Sequence, residues 1–165
     1  MAAHERIFVG LGANLGDAAA SVRAALTQLG GLPETSLVAA SALYCSAPFE
    51  AAGPDYVNAV AELRSTLEPA DLLTQLQGLE QRFGRQRPHR NAPRTLDLDL
   101  LFYGVRQIAG PLLTLPHPRA HQRAFVLAPL VALAPDWRLP DGRTAAQALA
   151  ALGADPAQRV ARMSP

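Results

Sequence analysis

The chain has 165 residues, 49% of them hydrophobic and 18% charged, with a formal net charge of +1. That balance fits one folded domain with a core of its own and excludes a disordered chain. It gives no field that would draw the molecule to nucleic acid or to a membrane surface, and no apolar run approaches the ~18 residues of a membrane span.

Arg6 to Leu11 alternates as a strand, and Gly12 to Asp17 reads as a turn. Asp17 is placed to cap a helix that runs to Leu29, with Val22, Ala25, Leu26 and Leu29 on one face and Gly30-Gly31 as its stop. Ser36 to Ser46 reads as a second strand, Ala47 to Asp55 as a proline-bearing loop, and Tyr56 to Ser65 as a third strand. Pro69 opens a second helix, whose stripe of Leu72, Leu73, Leu76, Leu79 and Phe83 ends at Gly84. An arginine-rich loop, Gly84 to Pro93, leads into a strand that ends near Tyr103. Gly104 to Arg106 is expected to turn that strand into a short partner near Gln107 and Ile108. After a Pro/His-rich connection, Leu115 to Gln122, the pattern gives an apolar helix over Ala124 to Leu133. A short strand at Trp137 to Leu139 and a last helix over Thr144 to Leu152 follow, and the tail after Pro156 is expected to be loose.

The order β-α-β-β-α-β predicts an α+β fold, a ferredoxin-like plait with a mainly antiparallel sheet. A short hairpin and C-terminal helices are added to it. No internal repeat or linker divides the chain, so a single domain over residues 1–165 is expected, with its core from Arg6 to Leu152.

The most informative run is Arg94-Thr-Leu-Asp97-Leu-Asp99-Leu-Leu-Phe102. Its alternation puts Leu96, Leu98 and Leu100 toward a core and Asp97 and Asp99 on the opposite face, about 6–7 Å apart along the strand. Two hard carboxylates so spaced can share one or two Mg²⁺ ions. An amphipathic strand with a solvated face is the plainer reading of the alternation. The loop upstream favours the metal: Arg82, Arg85, Arg87, Arg90 and Arg94 have no acidic residue between Glu80 and Asp97 to pair with. All fifteen basic residues of the chain are arginine, so contacts to phosphate fall to guanidinium forks or a protonated histidine. Such a loop suits a polyphosphate. It could also be a solvated connector or hold a nucleic-acid backbone, although the low net charge and few aromatics speak against nucleic acid.

The other motifs carry less by themselves. Gly10-Leu-Gly12-Ala-Asn14-Leu-Gly16 is one residue too long for a dinucleotide fingerprint, which leaves a strand-to-helix turn with Asn14 fixing its conformation. His117 and His121 have an i, i+4 spacing, but the flanking prolines oppose a helix and no third ligand is near, so His117 reads as a phosphate donor or a loop histidine. Phe49, Tyr56 and Phe125 are core or ligand platform; Asn58, on the same strand face as Tyr56, makes a stacking pocket with a polar edge possible. Cys45 has no partner for a disulfide, which fits a reducing cytoplasm, and Glu5-Arg6 before a short apolar run is unlike a signal peptide.

Together these residues resemble the 6-hydroxymethyl-7,8-dihydropterin pyrophosphokinases of folate biosynthesis. The likeness rests on the glycine motif with Asn14, Tyr44 with Pro48, Pro54-Asp-Tyr56-Val-Asn58, Glu80 with Gly84-Arg85, Pro93-Arg94-Thr-Leu-Asp97-Leu-Asp99, Pro116-His117-Pro, and Arg123-Ala-Phe125. The resemblance implies transfer of pyrophosphate from ATP to the hydroxymethyl group of the dihydropterin, releasing AMP. It implies that Asp97 and Asp99 hold two Mg²⁺ ions and that Arg85 and Arg94 contact the phosphates, with Arg87 on a closing loop. His117, Arg123 and Gln77 would serve ATP. Tyr56 and Phe125 would sandwich the pterin, with Asn58 on its amide edge and Ser46 and Phe49 nearby, and Glu80 would support the arginine loop.

The sequence departs from that pattern in three places: Arg90-Asn-Ala-Pro-Arg94 lacks a loop tryptophan, Pro118 follows His117 where an aromatic is usual, and Ser46-Ala47 replaces Thr-Pro. A cytoplasmic monomer that binds ATP and the dihydropterin, and neither nucleic acid nor membrane, is expected. A plait that binds without catalysis, or a related transferase with another acceptor, remains open from sequence.

Overall fold

In the computed structural model, residues 5–48, 53–84 and 96–164 are described. They form eight strands and four helices. The main sheet runs β5 (Asp97–Tyr103), β1 (Ile7–Ala13), β4 (Tyr56–Ser65), β3 (Tyr44–Ser46), β8 (Val160–Arg162), and β2 (Thr35–Ala40) also pairs with β4. Every pairing is antiparallel. This is the expected plait, with β1 and β4 at its centre.

Alternation on the central strands sorts two apolar layers. Ile7, Val9 and Leu11 of β1, with Leu98 and Leu100 of β5, pack beneath α1 (Ala18–Leu29) and α2 (Pro69–Phe83). Phe8, Val60, Leu101 and Phe102 face the other way, beneath α3 (Ala124–Leu133) and α4 (Ala145–Leu152). A register shift opposite Phe8/Val9 lets Leu101 and Phe102 both join that second layer. With helices on both faces, the central strands carry near-continuous apolar runs instead of clean alternation; β4 is buried from Val57 to Ala61.

The helix signals act as read. The Asp17 side chain accepts from the Ala20 N–H at 3.1 Å, and Thr144 with Gln147 forms a full capping box on α4. Helix α3 is apolar nearly all round and has no side-chain cap of its own. Pro129 inside it withholds the N–H that would bond the Phe125 carbonyl.

Five expectations are corrected. Strand β1 continues through Gly12 to Ala13, so one of the two supposed turn glycines, Gly12, is a strand residue. The second strand is broken: Ser41 leaves the ladder, its backbone N–H bonding the Val60 carbonyl and its hydroxyl taking the Val60 N–H at 3.0 Å. The partner near Ile108 pairs with Thr114–Leu115 (β6 with β7), not with β5. Trp137 to Leu139 contributes one bridge, Arg138 to Thr144, and no strand. The tail is not loose: Pro156–Gln158 makes a 3-10 turn and Val160–Arg162 pairs with β3. Its free backbone groups are met by Ala47 and Leu43, partners too distant in sequence for local periodicity to register.

Leu76 is fully buried between α2 and the sheet. Leu76→Ala should therefore lower the unfolding free energy by about 2–5 kcal/mol, measured by urea denaturation.

Candidate active site

The site is laid out by register. Asp97 of β5 lies opposite Gly12 of β1, and Gly12 lies opposite Asn58 of β4. One row further, Asp99 lies opposite Gly10, and Gly10 opposite Val60. The two acids thus share one face, separated from β4 by a central strand without side chains. A Cβ on Gly12 would come to 3.2 Å from Asn58 Nδ2, and one on Gly10 to 3.4 Å from Leu101 Cδ1. A side chain at Gly12 would crowd the Asn58 amide, while one at Gly10 would stand in ordinary contact with Leu101; as glycines, both leave the floor bare.

Over this floor lies a cavity of about 450 Å³, within the usual range for a small-molecule site. Asp97 and Asp99 open onto it from β5, Tyr56 and Asn58 from β4, and Ser46 and Ala47 from β3. Arg123 and Phe125, at the start of α3, form the opposite wall; Leu73, Gln77 and Glu80 of α2 reach its rim.

Local bonds set the orientation of these groups. The Ser46 hydroxyl donates to Asn58 Oδ1 at 2.6 Å in a buried pair. With Oδ1 engaged, the Asn58 amide presents Nδ2 over Gly12 as a donor toward the cavity. Glu80 Oε2 accepts from the Leu98 N–H at 2.9 Å and so ties α2 to the strand between the two acids. Asn14 Nδ2 donates to the Pro54 carbonyl at 3.2 Å, joining the β1–α1 turn to the loop before β4. The Arg123 guanidinium lies 5.5 Å from the centre of the Phe125 ring, a cation–π distance that holds both side chains along one wall.

Burial, then the charge of Asp97, raises the Tyr56 hydroxyl above its ordinary value, so the ring stays neutral. Burial lowers His117 below its ordinary value, against the pull of Asp99 and with the help of Arg123 and Arg119. Its Nδ1 accepts from the Arg119 N–H at 3.1 Å. His117 feels Asp99 but lines a smaller neighbouring pocket of about 130 Å³ with Phe102 and His121, not the main cavity.

The structure therefore gathers Ser46, Tyr56, Asn58, Asp97, Asp99, Arg123 and Phe125 around one space, with Gln77 and Glu80 at its edge. It sets His117 beside that space and Asn14 behind it. Phe49, Arg85, Arg87 and Arg94 lie outside the described residues. Sequence reasoning did not assign the floor to Gly10 and Gly12, although glycine at alternate positions of a strand is a signal for close approach. It also left out Val126 and Leu73.

No group of three or more His, Cys, Asp or Glu among the described residues could hold a metal alone. The donor set is a pair of half-buried carboxylates facing one cavity. That pair suits a hard cation which completes its shell with water and a ligand's phosphate oxygens.

Fold and site together define an antiparallel α+β plait with a small-molecule cavity, walled by aromatics and edged by an acidic pair. The family model for 7,8-dihydro-6-hydroxymethylpterin-pyrophosphokinase (HPPK) matches residues 8–135. A 2-amino-4-hydroxy-6-hydroxymethyldihydropteridine pyrophosphokinase of Pseudomonas aeruginosa is 49% identical over 148 residues, covering 89% of this chain and 91% of its own. Enzymes of the same name from Synechocystis sp. and Haemophilus influenzae are 44% and 42% identical, over 84% and 82% of this chain and 72% and 86% of theirs. The chain belongs to the HPPK family. In fold it is similar to the structure of Plasmodium falciparum HPPK-DHPS A437G with SDX-DHP, at a TM-score of 0.73 and 12% identity. That match covers 92% of this chain, which spans 46% of the solved one.

Removing the Ser46 hydroxyl leaves Asn58 Oδ1 buried without its donor. Ser46→Ala should lower stability by about 1–3 kcal/mol in chemical denaturation, and Ser46→Thr, which keeps the hydroxyl, by clearly less.

Proposed function

We propose that this cavity transfers pyrophosphate from ATP to the hydroxymethyl group of 6-hydroxymethyl-7,8-dihydropterin, giving AMP and the pterin diphosphate in folate biosynthesis. The observation that carries the reading is the acid pair and the aromatic wall opening onto one glycine-floored space. A flat heterocycle and a polyphosphate must meet in such a space if one is to attack the other.

Tyr56 and Phe125 flank the pterin ring. Asn58, its Nδ2 turned inward by Ser46, donates to the carbonyl oxygen on the amide edge of that ring. This orientation distinguishes the pterin from a flat ligand with a donor in the same place. Arg123 and Gln77 hold ATP, and His117 adds a neutral imidazole near Asp99. The arginines Arg85, Arg87 and Arg94 are assigned to the phosphates and Phe49 to the pterin side.

Asp97 and Asp99 hold Mg²⁺, two ions in this reading. The metal, when bound, neutralises the charge that gathers on the phosphates and stabilises the attacking and leaving oxygens. What the chain itself supplies is placement. Glu80 holds the backbone between the two acids, and the apolar layer under Leu98 and Leu100 keeps them on one face. Phosphoryl transfer asks for in-line geometry and charge compensation, not for a nucleophile on the protein, and no residue is assigned that role. No helix among the described residues is long and apolar enough to cross a membrane. The unpaired Cys45 supports a cytoplasmic location, and we assign the active form to a monomer.

Asp97→Asn keeps the shape of the side chain and halves the acidic charge of the pair. With ATP, Mg²⁺ and the dihydropterin supplied, it should lower the rate of AMP formation by about 10³-fold, or roughly 4 kcal/mol in the barrier. Chelating the metal should abolish turnover of the unsubstituted protein, and readdition of Mg²⁺ should restore it. Near-normal AMP formation by the variant would remove Asp97 from the metal site.

A further inference from the structure

The C-terminal segment touches both walls of the cavity at once. Gln158 Oε1 accepts from the Ala124 N–H at 2.8 Å, across 34 residues of sequence. Ala124 is the first residue of α3, and its N–H is one of the donors that a helix cannot satisfy for itself. Nothing else in α3 caps that end, and Pro129 deprives the Phe125 carbonyl of its helical donor. The first turn, which carries Arg123 and Phe125, is therefore weakly held from within and held from outside by Gln158.

The same segment fixes the facing wall. The Ala47 N–H bonds the Arg159 carbonyl at 3.0 Å, and Val160 pairs with Ser46. Arg159 Nη2 reaches Asp55 at 3.1 Å, next to Tyr56. The Asp155 side chain takes the Ala157 N–H at 2.9 Å and opens the 3-10 turn that aims Gln158. One short stretch thus sets the distance between Ser46-Ala47 on one side and Arg123-Phe125 on the other.

We infer that Gln158 is a positioning residue for substrate binding: by holding the first turn of α3, it sets the Phe125 wall against β3. The inference rests on the reading of Phe125 as a pterin-stacking residue, and the test separates the two. AMP formation by the full-length chain is measured while the dihydropterin and ATP are titrated in turn. Gln158→Met keeps the length of the side chain and removes the acceptor. It should raise the KM for the dihydropterin about five- to tenfold, which corresponds to one lost hydrogen bond, with kcat at saturation within about twofold. Gln158→Glu keeps an acceptor oxygen and suits a helix N-terminus, so it should restore a KM close to that of the unsubstituted chain.

Three results would overturn the inference. They are an unchanged KM in Gln158→Met, whether or not stability falls, an equal rise in KM in both variants, or a fall in kcat at saturation with KM unmoved. Phe125→Ala serves as the control. If it raises the KM and Gln158→Met does not, the positioning role fails while the site stands. If Phe125→Ala has no effect, both fail.

Discussion

The site depends on the register of three strands. Asp97, Gly12 and Asn58 stand abreast across β5, β1 and β4, and Asp99 and Gly10 form the next row. Adjacent strands lie about 4.8 Å apart, so a bare central strand leaves a trough about two strand spacings wide between the acids and the amide. The register is held by burial on the reverse face, where Ile7, Val9 and Leu11 pack beneath α1 and α2. A slip of one residue would turn that set outward and the acids inward. The apolar layer therefore fixes polar geometry on the other side of the same strand, and hydrophobic burial aligns two carboxylates without touching them.

The trough combines two kinds of environment. Toward α3 and β4 it is aromatic, and there the buried Asn58 has one of its two polar atoms committed to Ser46. Toward β5 it is acidic: burial and then Asp97 raise the Tyr56 hydroxyl, and Asp99 opposes the burial that lowers His117. A buried amide with one end fixed is a selective donor, because a ligand that fails to accept from it leaves a desolvated N–H unpaired. The proposed function uses both environments, the aromatic end for the ring and the acidic end for the phosphates, within one space.

Local pattern revealed much of this. The Asp97-Leu-Asp99-Leu alternation gave the shared face of the acids, Asp17 the start of α1, and Thr144 the start of α4, because each acts within a few residues of itself. Where partners are remote, the sequence was silent. Nothing between Ser36 and Ser46 marks the departure of Ser41, since its hydrogen-bond partner is Val60. Nothing in the tail marks β8, whose ladder is with Tyr44 to Ser46. Gly10 and Gly12 read in sequence as part of a strand-to-helix turn and not as a strand floor, because the side chains beside them, Asn58 at Gly12 and Leu101 at Gly10, are supplied by other strands. His117 was legible as part of the site's neighbourhood, and its seat in the smaller pocket with Phe102 and His121 depends on packing from two further segments.

The bulge in β2 has a consequence of a different kind. The ladder with β4 skips Val38, which stands 48% exposed between Leu37 and Ala39. This strand lies at the rim of the sheet, where a flat row of free amides would invite a strand from another molecule to dock and extend the ladder. The extra residue twists the row and breaks its spacing. An apolar outer segment is thereby made a poor template for fibril-like stacking, which favours solubility at high concentration.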